Sequence, residues 1–251
     1  MYMGRIGASP ENEIVRELRG ARILITGLSE TTGVDVARAF ADLKALLVIH
    51  TTDLSPEITA LVALLSQSAG EIKLYTDPIA SPDAAVRFAQ TAAQAYGGLD
   101  AVINLSSILS EDMRGIATEQ DVTDLLTQKL TPLAHLTSVT ANRMRVVQSE
   151  GLILNVLSMP RPASSREAAV ATYARAALAS MTKTEALTWA AHGIRVNSVG
   201  PSVVSEAQDQ DHACLSSEPD IAALAIYLAS RRGKSLAGHV FDAGGTPRRG
   251  D

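Results

Sequence analysis

The stretch from Arg22 to Phe40 constrains this chain more than any other. Ile23, Leu24 and Ile25 form an apolar run without polar alternation, the pattern of a strand buried on both faces. Thr26-Gly27-Leu28-Ser29-Glu30-Thr31-Thr32-Gly33 follows as a turn that carries two glycines. Val34, Ala37, Phe40 and Ala41 then recur at helical spacing. A strand, a glycine turn and a helix opening at that turn begin a dinucleotide-binding unit. The helix start offers free N–H groups and a partial positive charge to a pyrophosphate. Many strand–turn–helix units contain two glycines, so the turn alone leaves cofactor binding open.

Strand and helix patterns alternate along the rest of the chain. Strands are expected at 45–50, 71–75, 101–105, 151–157, 194–199 and 239–242. Helices are expected at 56–66, 82–96, 118–147, 167–191 and 219–230. Thr118 with Asp121 spells a capping arrangement at the start of the long third helix, and Gly97-Gly98 stops the second. This βαβ alternation predicts an α/β fold: one doubly wound Rossmann-like domain at 20–251, with a mostly parallel seven-stranded sheet and helices on both faces. Residues 1–19 read as an N-terminal arm in which 11–18 can form a short amphipathic helix.

Composition excludes several functions. The net charge is -5 and no basic stripe occurs, which argues against a nucleic-acid partner. No apolar run approaches membrane-spanning length, and 1–10 has no apolar core or cleavage-site pattern. The one cysteine, Cys214, excludes an intrachain disulfide and fits a reducing compartment, so a cytoplasmic protein is expected. His50, His135, His192, His212 and His239 show no metal-ligand spacing, and no metal is expected.

Five further segments carry a resemblance. Asp77 follows the third strand. Leu99-Asp100-Ala101-Val102-Ile103-Asn104, then Gly151-Leu152-Ile153-Leu154-Asn155-Val156-Leu157-Ser158, occupy strands four and five. His192-Gly193-Ile194-Arg195-Val196-Asn197-Ser198-Val199 and Ala237-Gly238-His239-Val240-Phe241-Asp242-Ala243-Gly244-Gly245 close the chain. With Thr26, Gly27, Gly33 and Ala37 these resemble the short-chain dehydrogenase/reductase superfamily over nearly the whole chain. The resemblance implies hydride transfer between a nicotinamide cofactor and an alcohol or ketone. It also implies cofactor binding by Thr26, Gly27, Ser29, Gly33, Thr51, Asp77, Asn104 and Pro201. Thr31 stands where that family has its middle glycine, and Leu105-Ser106-Ser107 where it has Asn-Ala-Gly.

The catalytic positions depart further. Ser158 matches the serine that steadies the substrate oxygen. Counting on from it puts the tyrosine position at Ala171 and the lysine position at Arg175, while the asparagine position falls at Lys129. Tyr173 lies two residues on, a rotation of about 200° on a helix, and should leave the face that Ala171 and Arg175 share. An arginine cannot release a proton near neutral pH. Lys129 could supply one if burial lowered its pKa. Ser202 replaces a glycine after strand six, Glu206 replaces the threonine that binds the carboxamide, and the 201–219 segment is short for a substrate lid. Thr51 is not basic and Glu30 would repel a 2′-phosphate, so NAD(H) is favoured over NADP(H), with weak or absent binding.

Three readings stay open: an oxidoreductase with a displaced proton donor, a non-catalytic partner subunit, and a module that senses a dinucleotide or another small-molecule ligand. The resemblance also implies a homodimer or homotetramer built on the two long helices, or a mixed oligomer with an active relative. Ala174, Ala176, Ala177, Leu178 and Met181 on the later helix are small and apolar and permit close helix approach, though some of them must face the sheet, with 221–226 as a second surface.

Overall fold

The computed structural model of the chain describes residues 10–202, 215 and 217–244. Glu206, His212, Cys214 and Gly245 lie outside the described residues, as does most of the 201–219 segment.

The sheet grows outward from β1 (Arg22–Thr26), whose Ile23, Leu24 and Ile25 have no exposed surface. β1 pairs parallel with β2 (Leu46–His50) on one side and with β4 (Ala101–Ser107) on the other. β3 (Glu71–Tyr75) adds to β2, while β5 (Gly151–Ser158), β6 (Ile194–Pro201) and β7 (Val240–Ala243) add in turn beyond β4. Among the described residues this makes a seven-stranded sheet of order β3-β2-β1-β4-β5-β6-β7, parallel at every pairing. The doubly wound α/β fold read from the alternation is the fold observed. Its order reverses between β1 and β4, which puts the crevice for a ligand beyond their carboxyl ends.

Helices cover both faces. On one lie α1 (Pro10–Leu18), α2 (Val34–Asp42), α3 (Pro56–Ser68) and α7 (Glu218–Ala229). Their Leu18, Phe40, Ile58, Leu65, Ile221 and Leu228 join one core with Ile23, Ile25 and Ile49 of the sheet. On the other lie α4 (Pro82–Ala95), α5 (Glu119–Val146) and α6 (Ser165–Trp189), which meet Leu24, Val102, Ile153 and Val196 through Ala92, Ala141, Met144 and Ala186. Local chemistry sets the starts. Ser55, Ser81, Thr118 and Ser164 each accept a hydrogen bond from the backbone N–H three residues on. At Thr118 the expected capping box is closed by Asp121.

β4 and β6 run two residues further than their apolar patterns. Ser106 and Ser107 pair with Leu157 and Ser158 of β5, and Gly200 and Pro201 pair with Asp242 and Ala243 of β7. A parallel neighbour supplies the ladder there, and backbone pairing needs no apolar side chain.

Gly27 and Gly97 give a matched test of the turn. Both have φ +75, but a Cβ at Gly27 would run into the backbone carbonyl of Leu105, whereas Gly97 opens onto empty space. Gly97→Ala should cost about 1–2 kcal/mol for left-handed backbone alone. Gly27→Ala should cost about 3 kcal/mol or more, because a backbone atom must move as well. Urea midpoints of the two variants check the difference.

Candidate functional site

The glycine turn lies at the carboxyl end of β1, against β2 and β4. Gly27 and Leu28 donate their N–H groups to the His50 carbonyl at 3.1 and 3.3 Å. Ser29 and Thr32 bond each other across the turn, N–H to carbonyl, at 3.0 and 3.4 Å. The Glu30 N–H donates to Asp53 Oδ2 at 3.3 Å. Gly33, at φ +89, is the N-cap of α2 and has no side chain to cap it. Its missing Cβ leaves room for the Leu105 side chain, which stands where the resemblance implies a polar residue. The Asp35 N–H, in the first turn of α2, donates to Glu218 Oε1 at 2.9 Å.

The other expected cofactor residues are committed elsewhere. Thr51 is fully buried; its hydroxyl donates to the Leu28 carbonyl at 2.6 Å and accepts from the Asp53 N–H at 3.0 Å. Thr26 donates to Asn104 Oδ1 at 3.0 Å, and Asn104 Nδ2 donates to Asn155 Oδ1 at 2.9 Å. Thr137 of α5 donates to the same Asn155 oxygen at 3.0 Å. This buried ladder ties β1, β4, β5 and α5 together, so Asn104 serves the fold. Asp77 has an exposed side chain and uses its carbonyl to accept from His50 Nε2 at 2.9 Å. Pro201 is buried at the end of β6.

A dinucleotide does not fit these residues as they stand. The turn's N–H groups at Gly27, Leu28, Ser29, Glu30 and Thr32 bond within the protein, as does that of Asp35 in α2. Asp53 and Glu218 set carboxylates against the turn, where they disfavour a phosphate, while Asp35 pairs with Arg38 at 3.5 Å. Burial pushes the Glu218 carboxyl up from its ordinary range, as does the charge of Asp35, against the pull of the backbone N–H groups. Backbone N–H bonds from Ser55 and Glu30 hold the Asp53 carboxyl below its ordinary range.

The catalytic positions are dispersed. Ser158 Oγ reaches the Ser106 carbonyl at 3.4 Å, and Ser106 Oγ reaches the Lys129 carbonyl at 3.4 Å. The Lys129 ammonium turns to Asp112 at 2.8 Å. Arg175 forms an ion pair with Asp242 of β7 at 2.7 Å. Ala171 is fully buried in an apolar cluster with Ile108, Leu157, Met159 and Leu178. Tyr173 is 57% exposed, on the face of α6 away from Ala171 and Ala174, both at 0%. The structure thus gathers Ser158, Ser106 and the Lys129 backbone, and leaves Tyr173 outside. Lys129 and Arg175 each face a carboxylate, Asp112 and Asp242 respectively. Among the described residues, no His, Cys, Asp and Glu cluster could hold a metal ion, and no helix is long and apolar enough to cross a membrane.

The family model for short chain dehydrogenase matches residues 21–213. The chain belongs to the short chain dehydrogenase family. That family binds NAD(P). The chain is 26% identical over 248 residues to 2-dehydro-3-deoxy-D-gluconate 5-dehydrogenase of Bacillus subtilis, covering 91% of this chain and 94% of the relative. It is 29% identical over 183 residues to galactitol 2-dehydrogenase of Agrobacterium fabrum, covering 72% and 69%. A short-chain type dehydrogenase/reductase from Mycobacterium marinum superposes with a TM-score of 0.73 at 20% identity, covering 93% of this chain and 97% of that one.

Within this family's fold, the sequence reading missed Asp53, Asp112, Asp242 and Glu218 as partners. Asp112 and Asp53 lie in loops, where no periodicity assigns a direction. Glu218 looks like an ordinary first-turn acid of α7.

His50 offers a test of this end of the sheet. Burial against Phe88 lowers its pKa from the ordinary 6.5, partly offset by the Asp77 carbonyl. The unfolded chain therefore binds more protons below that value. Stability should fall as pH drops from 6.5 toward the lowered pKa, and His50→Gln should be flatter over that interval. Urea midpoints measured at a series of pH values check this.

Proposed function

We propose that this short chain dehydrogenase family member does not carry out hydride transfer, and that it serves as a non-catalytic subunit of an oligomer. The observation that carries the reading is Ala171, a fully buried methyl group in a hydrophobic cluster where the resemblance implies a proton donor. Removing a general acid costs about 10²–10⁴ in rate. The dispersal of Lys129, Arg175 and Tyr173 leaves no substitute beside Ser158 among the described residues. A dinucleotide sensor fits less well, because the turn's donors are already bonded. The second reading, an oxidoreductase, is favoured by relatives named as dehydrogenases of a sugar acid and a sugar alcohol.

Assembly rests on other residues. Ala174 and Leu178, two of the small and apolar residues of α6, face the sheet with no exposed surface, and Met181 is half-buried. Ala176 and Ala177 are exposed and lie beside exposed Tyr173, with exposed Leu187 about 15 Å further along α6. On α7, Ile221, Ala222 and Ala225 are core, and Ala223 and Tyr227 face outward. A homodimer or homotetramer on α5 and α6, or a mixed oligomer with an active relative, suits this arrangement.

Two measurements test the reading. With NADH or NADPH and a range of ketones, or NAD and galactitol, turnover should stay at background. A robust rate that Tyr173→Phe abolishes would establish an enzyme instead. In light scattering at micromolar concentration the chain should run as a dimer or tetramer, and Ala177→Glu should lower its mass. A monomeric parent chain, or a variant that assembles normally, would remove α6 from the interface.

A further inference from the structure

The first turn of every α-helix leaves N–H groups without intrahelical partners. Most helices of this protein satisfy them with a side chain from the adjoining sequence. α2 does not, because its N-cap is Gly33. Its donors are met by a carboxylate 183 residues away: Glu218 Oε1 accepts from the Asp35 N–H at 2.9 Å. The N–H groups of Gly33 and Val36 lie near enough to this carboxylate to pull its pKa down, against burial. α7 does not need Glu218 for itself, since Ser217 and Asp220 already form its capping box. Core contacts fix the pair, with Val36, Ala37 and Phe40 of α2 and Ile221, Ala222 and Ala225 of α7 in one cluster. On the other side of the turn Asp53 Oδ2 takes the Glu30 N–H. Desolvating a carboxylate is unfavourable without compensation, and here the N-terminus of α2 and the Asp35 N–H offset part of that cost.

We propose that Glu218 is a built-in replacement for the pyrophosphate of a dinucleotide: its carboxylate holds the N-terminus of α2, with Asp53 on the turn beside it, and keeps phosphate ligands out. The backbone unit that binds a dinucleotide in this fold is thereby folded and satisfied without one. A pyrophosphate gains these donors only by displacing Glu218, and meets the charge of Asp53 when it does. This goes beyond the loss of catalysis, because an inactive protein with an open turn would still bind the cofactor.

The test reads binding and folding, never turnover, in the full-length chain. Inorganic pyrophosphate and NADH are titrated by calorimetry into the parent chain, Glu218→Ala, Glu218→Gln and the control Glu57→Ala, which removes an exposed acid from the first turn of α3. The parent chain and the control should show no binding at millimolar pyrophosphate. Glu218→Ala should melt at a lower temperature than the parent, regain part of that loss when pyrophosphate is added, and bind pyrophosphate at least about tenfold tighter. Glu218→Gln keeps an acceptor without the charge, and should gain less. Parent binding equal to that of the variants, an equal gain in the control, or a folded Glu218→Ala with no gain would each overturn the proposal. If Glu218→Ala does not fold, the Gln variant decides: a gain over the control supports the proposal and no gain overturns it.

Discussion

The chain leaves β1 so close to β4 that Gly27 has no space for a side chain before the carbonyl of Leu105. That approach fixes the switch point of the sheet, and the buried ladder from Thr26 through Asn104 and Asn155 to Thr137 holds it. Each of these hydrogen bonds contributes about 1 kcal/mol net, but an orphaned buried partner costs about 1–3 kcal/mol. The ladder therefore specifies one register for the carboxyl ends of β1, β4 and β5. Everything at the crevice inherits that register, from the glycine turn to Ser158 and the start of α6.

The charges around the crevice are balanced inside the protein. Lys129 has Asp112, Arg175 has Asp242, α2 has Glu218 and the Glu30 N–H has Asp53. The two ion pairs involve half-buried side chains, and pairs of this exposure contribute at most about 1 kcal/mol each. Their effect is on direction more than on stability. A cation drawn to a neighbouring carboxylate no longer points at a site for ligand, and a capped helix no longer lacks an anion.

Much of the fold was legible because its signals are local. The apolar run of β1, the serine and threonine caps, and Thr118 with Asp121 each need only a few adjacent residues. Strand ends were less legible, because Ser106 and Ser107 keep strand pairing through the backbone with no apolar side chain to signal it. On α6 the helical period separates Ala171, Ala174, Leu178 and Thr182, all buried, from Tyr173, Ala176 and Ala177. The rotation argument for Tyr173 used that period, and of the small and apolar residues on α6, some of which had to face the sheet, Ala174 and Leu178 are the ones that do. The long-range partners were not legible at all. Asp35 and Glu218 meet only because α2 and α7 pack on the same face of the sheet, which no local pattern encodes.

The same packing explains why the missing tyrosine and lysine are more than two changed letters. A tyrosine at position 171 would have to enter a cluster in which Ala171, Leu157 and Leu178 have no exposed surface. Overpacking of that kind costs about 1–3 kcal/mol and shifts backbone. A lysine at position 175 would still face Asp242, whose attraction would draw it toward β7 as it draws Arg175. The turn would still be closed by Glu218 and Asp53. Hydride transfer needs a proton donor, a ribose ligand and a phosphate cradle at once, and on the proposed reading the position of each is filled here by a contact that serves folding. On that reading one substitution would not restore activity, since each restored group would meet a neighbour already committed to a different partner.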